Sequence, residues 1–219
     1  MEDLTTSLIV IACTALAIVL IFYLTRRAKR QKMAQIQALA VQQGWGFEQV
    51  RQKLISGYRL IGKNWMMESM IIAQGADVEP HLSNIHSYST FTSEALTLLG
   101  RNLLIGPAEK DVQLGGFGKL LQQKVIEKFL GPSGVGVHPV QAGSSTFLQK
   151  YLILANEETD VRRILSPKSE AILMGWQGTQ PVVKVTGSGL EMRVEGVYLE
   201  APEDIQKFVD LGKSFLSAV

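Results

Sequence analysis

Hydrophobic residues are spread unevenly along this chain. From Leu8 to Leu24 the sequence is apolar apart from Thr14, and a helix over these residues is apolar on every face. Glu2 and Asp3 precede the run, and the cations that follow it are Arg26, Arg27, Lys29, Arg30 and Lys32. A secretory signal has the reverse order, with cations before the apolar run and a small-residue cleavage site after it. The pattern predicts an uncleaved transmembrane helix over residues 8–24 rather than a buried core helix.

The flanking charges also predict an orientation. Lysine and arginine close to a membrane span remain on the cytoplasmic side. Residues 1–7 are therefore expected outside, and the rest of the chain in the cytoplasm, with the protein in the inner (plasma) membrane. The five cations are predicted to contact the anionic headgroups of the lipid bilayer. Small residues in the run, which would allow helices of other integral membrane proteins to approach closely, are Ala12, Ala15 and Ala17.

A polar helix is predicted to follow the apolar run, over residues 25–43. This stretch has no glycine or proline, and it places Met33, Ile36 and Ala40 along one stripe. Gly44 is the predicted end, and a folded domain is expected over residues 44–219. Trp45 and Phe47 are the first aromatic residues of that domain, and they serve either as core wedges or as contacts for a partner protein.

The folded domain alternates between strand and helix patterns. Two hairpins are predicted, one from YRLI and WMMESMIIA around a GKN turn, and one from VVKVT and LEMRVEGVYL around GSG. TLLGRNLLIGP and TFLQKYLILAN are further strand candidates. Helices are predicted over residues 117–130, after a cap at Asn156, after Ser166 and from Pro202 onward. The fold class is therefore α+β, with one N-terminal transmembrane helix, an antiparallel sheet and a closing C-terminal helix.

Charge and cysteine content narrow the range of partners. Without the five cations and the two N-terminal acids, the chain has 17 of its 22 cations and 18 of its 20 anions. Such a balanced remainder gives no basic surface for nucleic acid. Cys13 is the single cysteine, so the chain forms no intrachain disulfide and has no Cys-x-x-Cys pair.

The C-terminal third of the chain has a recognisable order of segments. It runs TFLQKYLILANEETDVRRILSPKSEAILMGW, then a valine-rich hairpin and an amphipathic helix. This order resembles uncharacterised bacterial single-pass membrane-anchored proteins. The resemblance implies a membrane location and this fold, and it implies no catalytic residues.

Two loops contain residues that could bind a metal ion or an anion. Asp77, Glu79, His81 and His86 fall within ten residues, but their spacing fits no standard metal site, and a solvated loop is the favoured interpretation. The turn from Gly115 to Lys119 precedes a helix and offers backbone amides to an anion, although it lacks the spacing of a Walker loop.

These patterns favour a non-enzymatic accessory or scaffold subunit that docks on a larger membrane protein complex and needs no cofactor. The alternative is a membrane-tethered enzyme or ligand-binding module that uses loop 77–86 or 115–119. A weaker third possibility places the helix over 117–130 on a lipid surface.

Overall fold

The N-terminal helix ends where the sequence predicts. A computed structural model describes residues 2–73, 85–108, 126–127 and 129–219, with the backbone alone at 2–13, 85 and 132–133. Helix α1 runs over Glu2–Gln43 and is followed by Gly44, whose φ of 69° lies in the left-handed region. The Trp45 amide donates to the Ala40 carbonyl at 2.8 Å and closes the helix. Glycine adopts this conformation without a steric penalty, which explains the sharp end.

The predicted transmembrane helix is not supported. Within the described residues, no helix is both long enough and apolar enough to cross a membrane. The predicted span over residues 8–24, and with it the assignment as a single-pass transmembrane protein, is therefore wrong.

One antiparallel sheet forms the centre of the molecule. In the described part of the chain it contains nine strands, in the order β1-β2-β3-β4-β9-β8-β5-β7-β6. The strands are β1 Gly46–Arg51, β2 Ile55–Ile61, β3 Met66–Ala73, β4 Ile85–Ser93, β5 Leu103–Pro107, β6 His138–Pro139, β7 Tyr151–Ala155, β8 Val182–Thr186 and β9 Gly189–Glu195. The predicted antiparallel sheet is thus confirmed, and both predicted hairpins are present as β2–β3 and β8–β9.

Short helices connect the later strands and a long one closes the domain. They are α2 Ser145–Leu148, α3 Glu158–Ile164, α4 Pro167–Gly175 and α5 Pro202–Ala218, with a 3₁₀ turn at Gly131–Gly134. Ser166 caps α4 as predicted, because its hydroxyl accepts from the Ser169 amide at 3.2 Å. Helix α3 has Glu157 rather than the predicted Asn156 at its N-cap position, and the Glu157 side chain makes no capping hydrogen bond. The Asn156 side chain instead accepts from the Asn102 amide at 2.7 Å and donates to the Val135 carbonyl at 3.0 Å. The helix predicted over 117–130 lies outside the described residues except at 126–127 and 129–130.

Strand β4 was missed because its buried face carries hydroxyl groups. The sequence predicts a solvated loop that reaches His86 and no strand after it, yet the segment IHSYSTFTS pairs with β3 and β9 in the middle of the sheet. Ser89 is fully buried on it, within 2.9 Å of the Ser69 hydroxyl and of the Val197 carbonyl. Buried hydroxyl groups that are hydrogen-bonded are tolerated in a core, although their polarity hides the strand from hydropathy patterns.

Helices α1 and α5 pack on the same hydrophobic core. Ile36 and Ala40 of α1 are fully buried in it, and so are Phe208 and Phe215 of α5. Gly212 allows α5 to approach the sheet closely, since a Cβ there would lie 2.5 Å from the Phe91 ring. The sheet therefore holds both the C-terminal helix and the last three turns of α1 in fixed positions.

Candidate functional site

Helix α1 divides into two segments with different surroundings. We call residues 33–43 the clamp, because Ile36 and Ala40 are buried there while Met33 and Leu39 are partly buried against the core. We call residues 14–32 the arm. Its large apolar side chains are exposed to more than half of their area, and they are Leu16, Ile18, Val19, Leu20, Ile21, Phe22, Tyr23 and Leu24. The exposed residues are consecutive, so the arm is apolar around its whole circumference from residue 16 to residue 24.

A groove of about 640 Å³ separates the cationic end of the arm from the sheet. One wall is helical, from Thr25 to Met33, and the other is formed by β1, β2, β3 and the connection that leads from β9 to α5. The side chains that matter for recognition are the cations Arg26, Lys29, Arg30, Lys32 and Arg51, the apolar groups of Met33, Val50, Ile71 and Tyr198, and the hydroxyl of Ser56.

Positive charge in this groove is not balanced. Five cations line it, and Glu200 is the one acid among the residues that line it. Lys32 donates to the Glu200 carboxylate, which accounts for one cation. For Arg26, Lys29, Arg30 and Arg51, the described part of the chain provides no carboxylate within ion-pair distance. The groove is therefore a site with four net positive charges, suited to an anionic ligand.

Buried hydroxyl groups fix the far wall of the groove. The Tyr58 hydroxyl donates to the Leu199 carbonyl at 2.8 Å, and the Leu199 amide donates to the Ser69 hydroxyl at 3.0 Å. Burial raises the pKa of Tyr58, so the phenol stays protonated and remains a donor. These bonds hold the residues on either side of Leu199, which are Tyr198 and Glu200. Burial, and then the Glu200 charge, also raises the pKa of Tyr198.

Charges on the opposite face of the sheet are neutralised. Arg59 lies 3.2 Å from the Glu68 carboxylate and 3.6 Å from that of Glu48, and the hydrogen bond to Glu68 raises the pKa of Arg59. Lys184 pairs with Glu191 across the β8–β9 hairpin. Unlike Arg59 and Lys184, the groove cations Arg26, Lys29, Arg30 and Arg51 have no carboxylate within ion-pair distance among the described residues.

A second cavity, of about 840 Å³, lies between α4 and α5. Apolar residues such as Ile172 and Leu211 line it, and Trp176 stands at its edge in contact with Phe208, with ring centroids 5.8 Å apart. Its lining cation, Lys207, is 3.3 Å from Asp204 and thus paired. The lining also contains Asp210, which accepts a hydrogen bond from the Gln206 amide at 2.9 Å, so the cavity offers an anionic ligand no unpaired cation among the residues that line it.

The aromatic residues predicted as partner contacts are partly buried. Trp45 meets Trp65 edge to face, with centroids 5.2 Å apart, and Phe47 stacks on Tyr58 at 6.5 Å. Both pack against the core. Ala15 and Ala17 are exposed on the arm, whereas at Ala12 the structure describes only the backbone. The role of these residues as partner contacts stays a prediction.

The two loops considered for catalysis are largely beyond the described residues. Asp77, Glu79 and His81 lie outside them, as do Gly115 to Lys119, and His86 is exposed at the start of β4. Across 14–73, 86–108, 126–127, 129–131 and 134–219, no three His, Cys, Asp or Glu side chains are grouped to hold a metal.

Arg51 is the groove residue that sequence reasoning missed. It ends β1, in register with Ser56 of β2, far along the chain from the other cations. A usable signal was present in the sequence, since Phe47, Gln49 and Arg51 alternate along one face of the strand. Only the packing of α1 against that face makes Arg51 a neighbour of the arm.

The chain matches no family model, and no curated protein matches it. Among solved structures, it is similar to the crystal structure of the mycobacterial trehalose monomycolate transport factor A, TtfA. The similarity covers 86% of this chain and 94% of the other, at 7% sequence identity and a TM-score of 0.47. A likeness at this level supports no inference about function.

Proposed function

We propose that this chain is a non-enzymatic accessory protein that holds its folded domain against an anionic lipid surface. The observation that carries the proposal is the arm, in which consecutive exposed apolar residues lead directly into a cluster of cations. Leu16 is 71% exposed and Phe22 is 65% exposed. Exposed apolar surfaces of this size mark sites where a protein meets another protein or a membrane.

Electrostatics favours lipid as the partner. Arg26, Arg27, Lys29 and Arg30 follow the apolar residues at the depth where headgroups would lie. Cations near an anionic bilayer contribute about 1 kcal/mol each, and apolar side chains add to binding through burial in the acyl layer. The cytoplasmic leaflet of the plasma membrane is anionic, so we place the domain there.

The clamp makes this binding useful. Because Ile36 and Ala40 are locked in the core, a lipid-bound arm would fix the orientation of the whole domain relative to the surface. An accessory protein that presents a domain to neighbouring membrane proteins requires this kind of rigid connection.

Vesicle co-sedimentation with the full chain tests the proposal. We expect binding to vesicles that contain phosphatidylglycerol and much weaker binding to phosphatidylcholine alone. Changing Arg26, Arg27, Lys29 and Arg30 to Gln should lower affinity by about fivefold per cation. The matched control changes four exposed lysines outside the arm to Gln, and these are Lys63, Lys150, Lys168 and Lys213. Equal binding by the two quadruple variants, or no binding of the unmodified chain, would refute the proposal.

Integral membrane proteins are a second class of partner. Ala15 and Ala17 are exposed on the arm and would let another helix approach closely. Ala15→Leu with Ala17→Leu should then reduce copurification of a membrane protein in mild detergent and leave vesicle binding intact. Copurification that is unchanged by these substitutions would count against this contact.

A further inference from the structure

The cations of the arm do not all point the same way. Arg26, Lys29, Arg30 and Met33 line the groove, and they are spaced at i, i+3, i+4 and i+7, which is one face of a helix. Arg27 lies off this face and does not line the groove. The cluster therefore contains an inward-facing set beside the sheet and an outward-facing residue, although the sequence presents it as a single basic segment.

The sheet supplies a cation of its own to the same groove. Arg51 at the end of β1 is exposed and pairs in register with Ser56, whose hydroxyl also lines the groove. An arginine guanidinium presents parallel N–H donors that match two phosphate oxygens at once. The groove thus brings arginines from a helix and from a strand to one place, with a hydroxyl group beside them.

Apolar side chains lie next to these cations. Met33, Ile71 and Tyr198 are partly buried and line the groove, together with buried Val50. A ligand that satisfies the whole groove must therefore have both an anionic group and an apolar part. The volume of about 640 Å³ is within the range of roughly 300–1,000 Å³ that single small ligands occupy in proteins.

We propose that this groove binds one phospholipid molecule, with its phosphate on Arg26, Arg30 and Arg51 and its acyl portion along Met33, Ile71 and Tyr198. The inference rests on the proposed function, because a lipid surface at the arm supplies the ligand. It goes further than that function, since it assigns a site that binds one lipid molecule per chain. General attraction to a charged membrane surface would give no such fixed ratio. The groove opens beside the apolar arm, so a lipid would reach it without crossing water.

Calorimetric titration of the full chain with a short-chain phosphatidylglycerol, below its critical micelle concentration, tests this site in the absence of any surface. We expect one molecule bound per chain. Arg51→Gln and Arg30→Gln should each weaken binding by about tenfold, because each removes a charge-assisted hydrogen bond. Lys53→Gln and Lys63→Gln are the matched controls, because both are exposed lysines that do not line the groove, and they should change affinity by less than twofold. All four side chains are exposed, and denaturant unfolding of each variant would establish that its fold is intact.

Two further ligands separate the possible sources of the phosphate. Glycerol phosphate has the headgroup without the acyl chains, and we expect at least tenfold weaker binding. Equal affinity would overturn the lipid assignment in favour of a free phosphate site. Binding that Arg51→Gln leaves unchanged, or no binding of the short-chain lipid, would overturn the site itself.

The vesicle assay separates this proposal from the proposed function. Arg51→Gln should keep most of its vesicle binding, because Arg27 and the apolar arm are unaltered. Vesicle binding without short-chain lipid binding would remove the groove site and keep the surface role. Short-chain lipid binding without vesicle binding would remove the surface role and keep the groove site.

Discussion

The arm and the clamp belong to one uninterrupted helix, yet they have opposite environments. Residues 16–24 of the arm form an uninterrupted apolar run that is exposed, whereas the clamp has four glutamines among its apolar residues and inserts Ile36 and Ala40 into the core. Hydrophobic residues are usually buried when a surface is available to cover them. The sheet covers only the last turns of α1, so burial in this helix follows the position of the sheet rather than local hydrophobicity.

This difference assigns separate tasks to the two segments. The clamp contributes to folding stability because unfolding exposes its side chains. The arm contributes little, because its apolar residues are already exposed in the folded chain. A long exposed apolar surface lowers solubility. Natural proteins keep such a surface where it binds a protein, a membrane or a ligand.

The largest expected effect distinguishes two isoleucines on the same helix. Ile36→Ala removes a fully buried side chain and should lower the free energy of unfolding by about 2–5 kcal/mol. Ile18→Ala makes the same chemical change where the side chain is 62% exposed, and should change it by less than about 0.5 kcal/mol. Urea unfolding, monitored by tryptophan fluorescence, measures the free energy of unfolding of both variants. Similar losses in the two variants would abolish the distinction between arm and clamp.

A pair of tyrosines gives a smaller contrast. Tyr58 is buried and donates to the Leu199 carbonyl, so Tyr58→Phe should lower the free energy of unfolding by about 1–2 kcal/mol near neutral pH. Tyr23 is exposed on the arm, and Tyr23→Phe should have no measurable effect. The same urea titration measures both variants. If Tyr58→Phe leaves the free energy of unfolding unchanged, other contacts hold the wall of the groove.

Alkaline pH should sharpen this result. Burial raises the pKa of Tyr58 in the folded chain and raises that of Tyr151 to about 12, whereas an unfolded tyrosine titrates near about 10. The folded state then keeps phenolic protons that the unfolded state releases. The stabilisation is fully present below pH of about 10 and is lost as pH rises beyond it. Tyr58→Phe should reduce this alkaline loss, and an identical pH profile for the variant and the parent chain would contradict the assignment.

The smallest expected effect concerns the ion pair at the junction of arm and clamp. Lys32 and Glu200 are 51% and 42% exposed, so Lys32→Gln should cost less than about 0.5 kcal/mol of unfolding free energy. A double-mutant cycle with Glu200→Gln isolates the pair. A coupling above about 2 kcal/mol would mean that this contact, and not the burial of Ile36, holds the helix on the domain.

Local sequence patterns predicted the elements whose residues alternate cleanly. The β8–β9 hairpin is correct because Leu190, Met192 and Val194 occupy one buried face. The end of α1 at Gly44 and the start of α5 at Pro202 are correct because backbone conformation there depends on a single residue. Strand β4 was missed because its burial depends on hydroxyl partners that lie 20 and 108 residues away, at Ser69 and Val197.

The candidate site was only partly predictable for the same reason. The basic segment after the apolar run was evident in the sequence, and its contact with anionic lipid remains a prediction. The division between inward Arg30 and outward Arg27, and the addition of Arg51, required knowledge of which face of α1 meets the sheet. The predicted membrane span was wrong, because no helix within the described residues is both long enough and apolar enough to cross a membrane.

By itself the sequence determined the apolar run of the arm, the cations that follow this run, the two hairpins, the end of α1 and the start of α5, because these depend on neighbours in the chain. Tertiary structure alone decided which part of α1 is covered and which cations are left without a carboxylate. Coverage and charge pairing depend on residues far apart in sequence, such as Lys32 with Glu200 and Arg26 with Arg51, which only the packing of the helix on the sheet brings together.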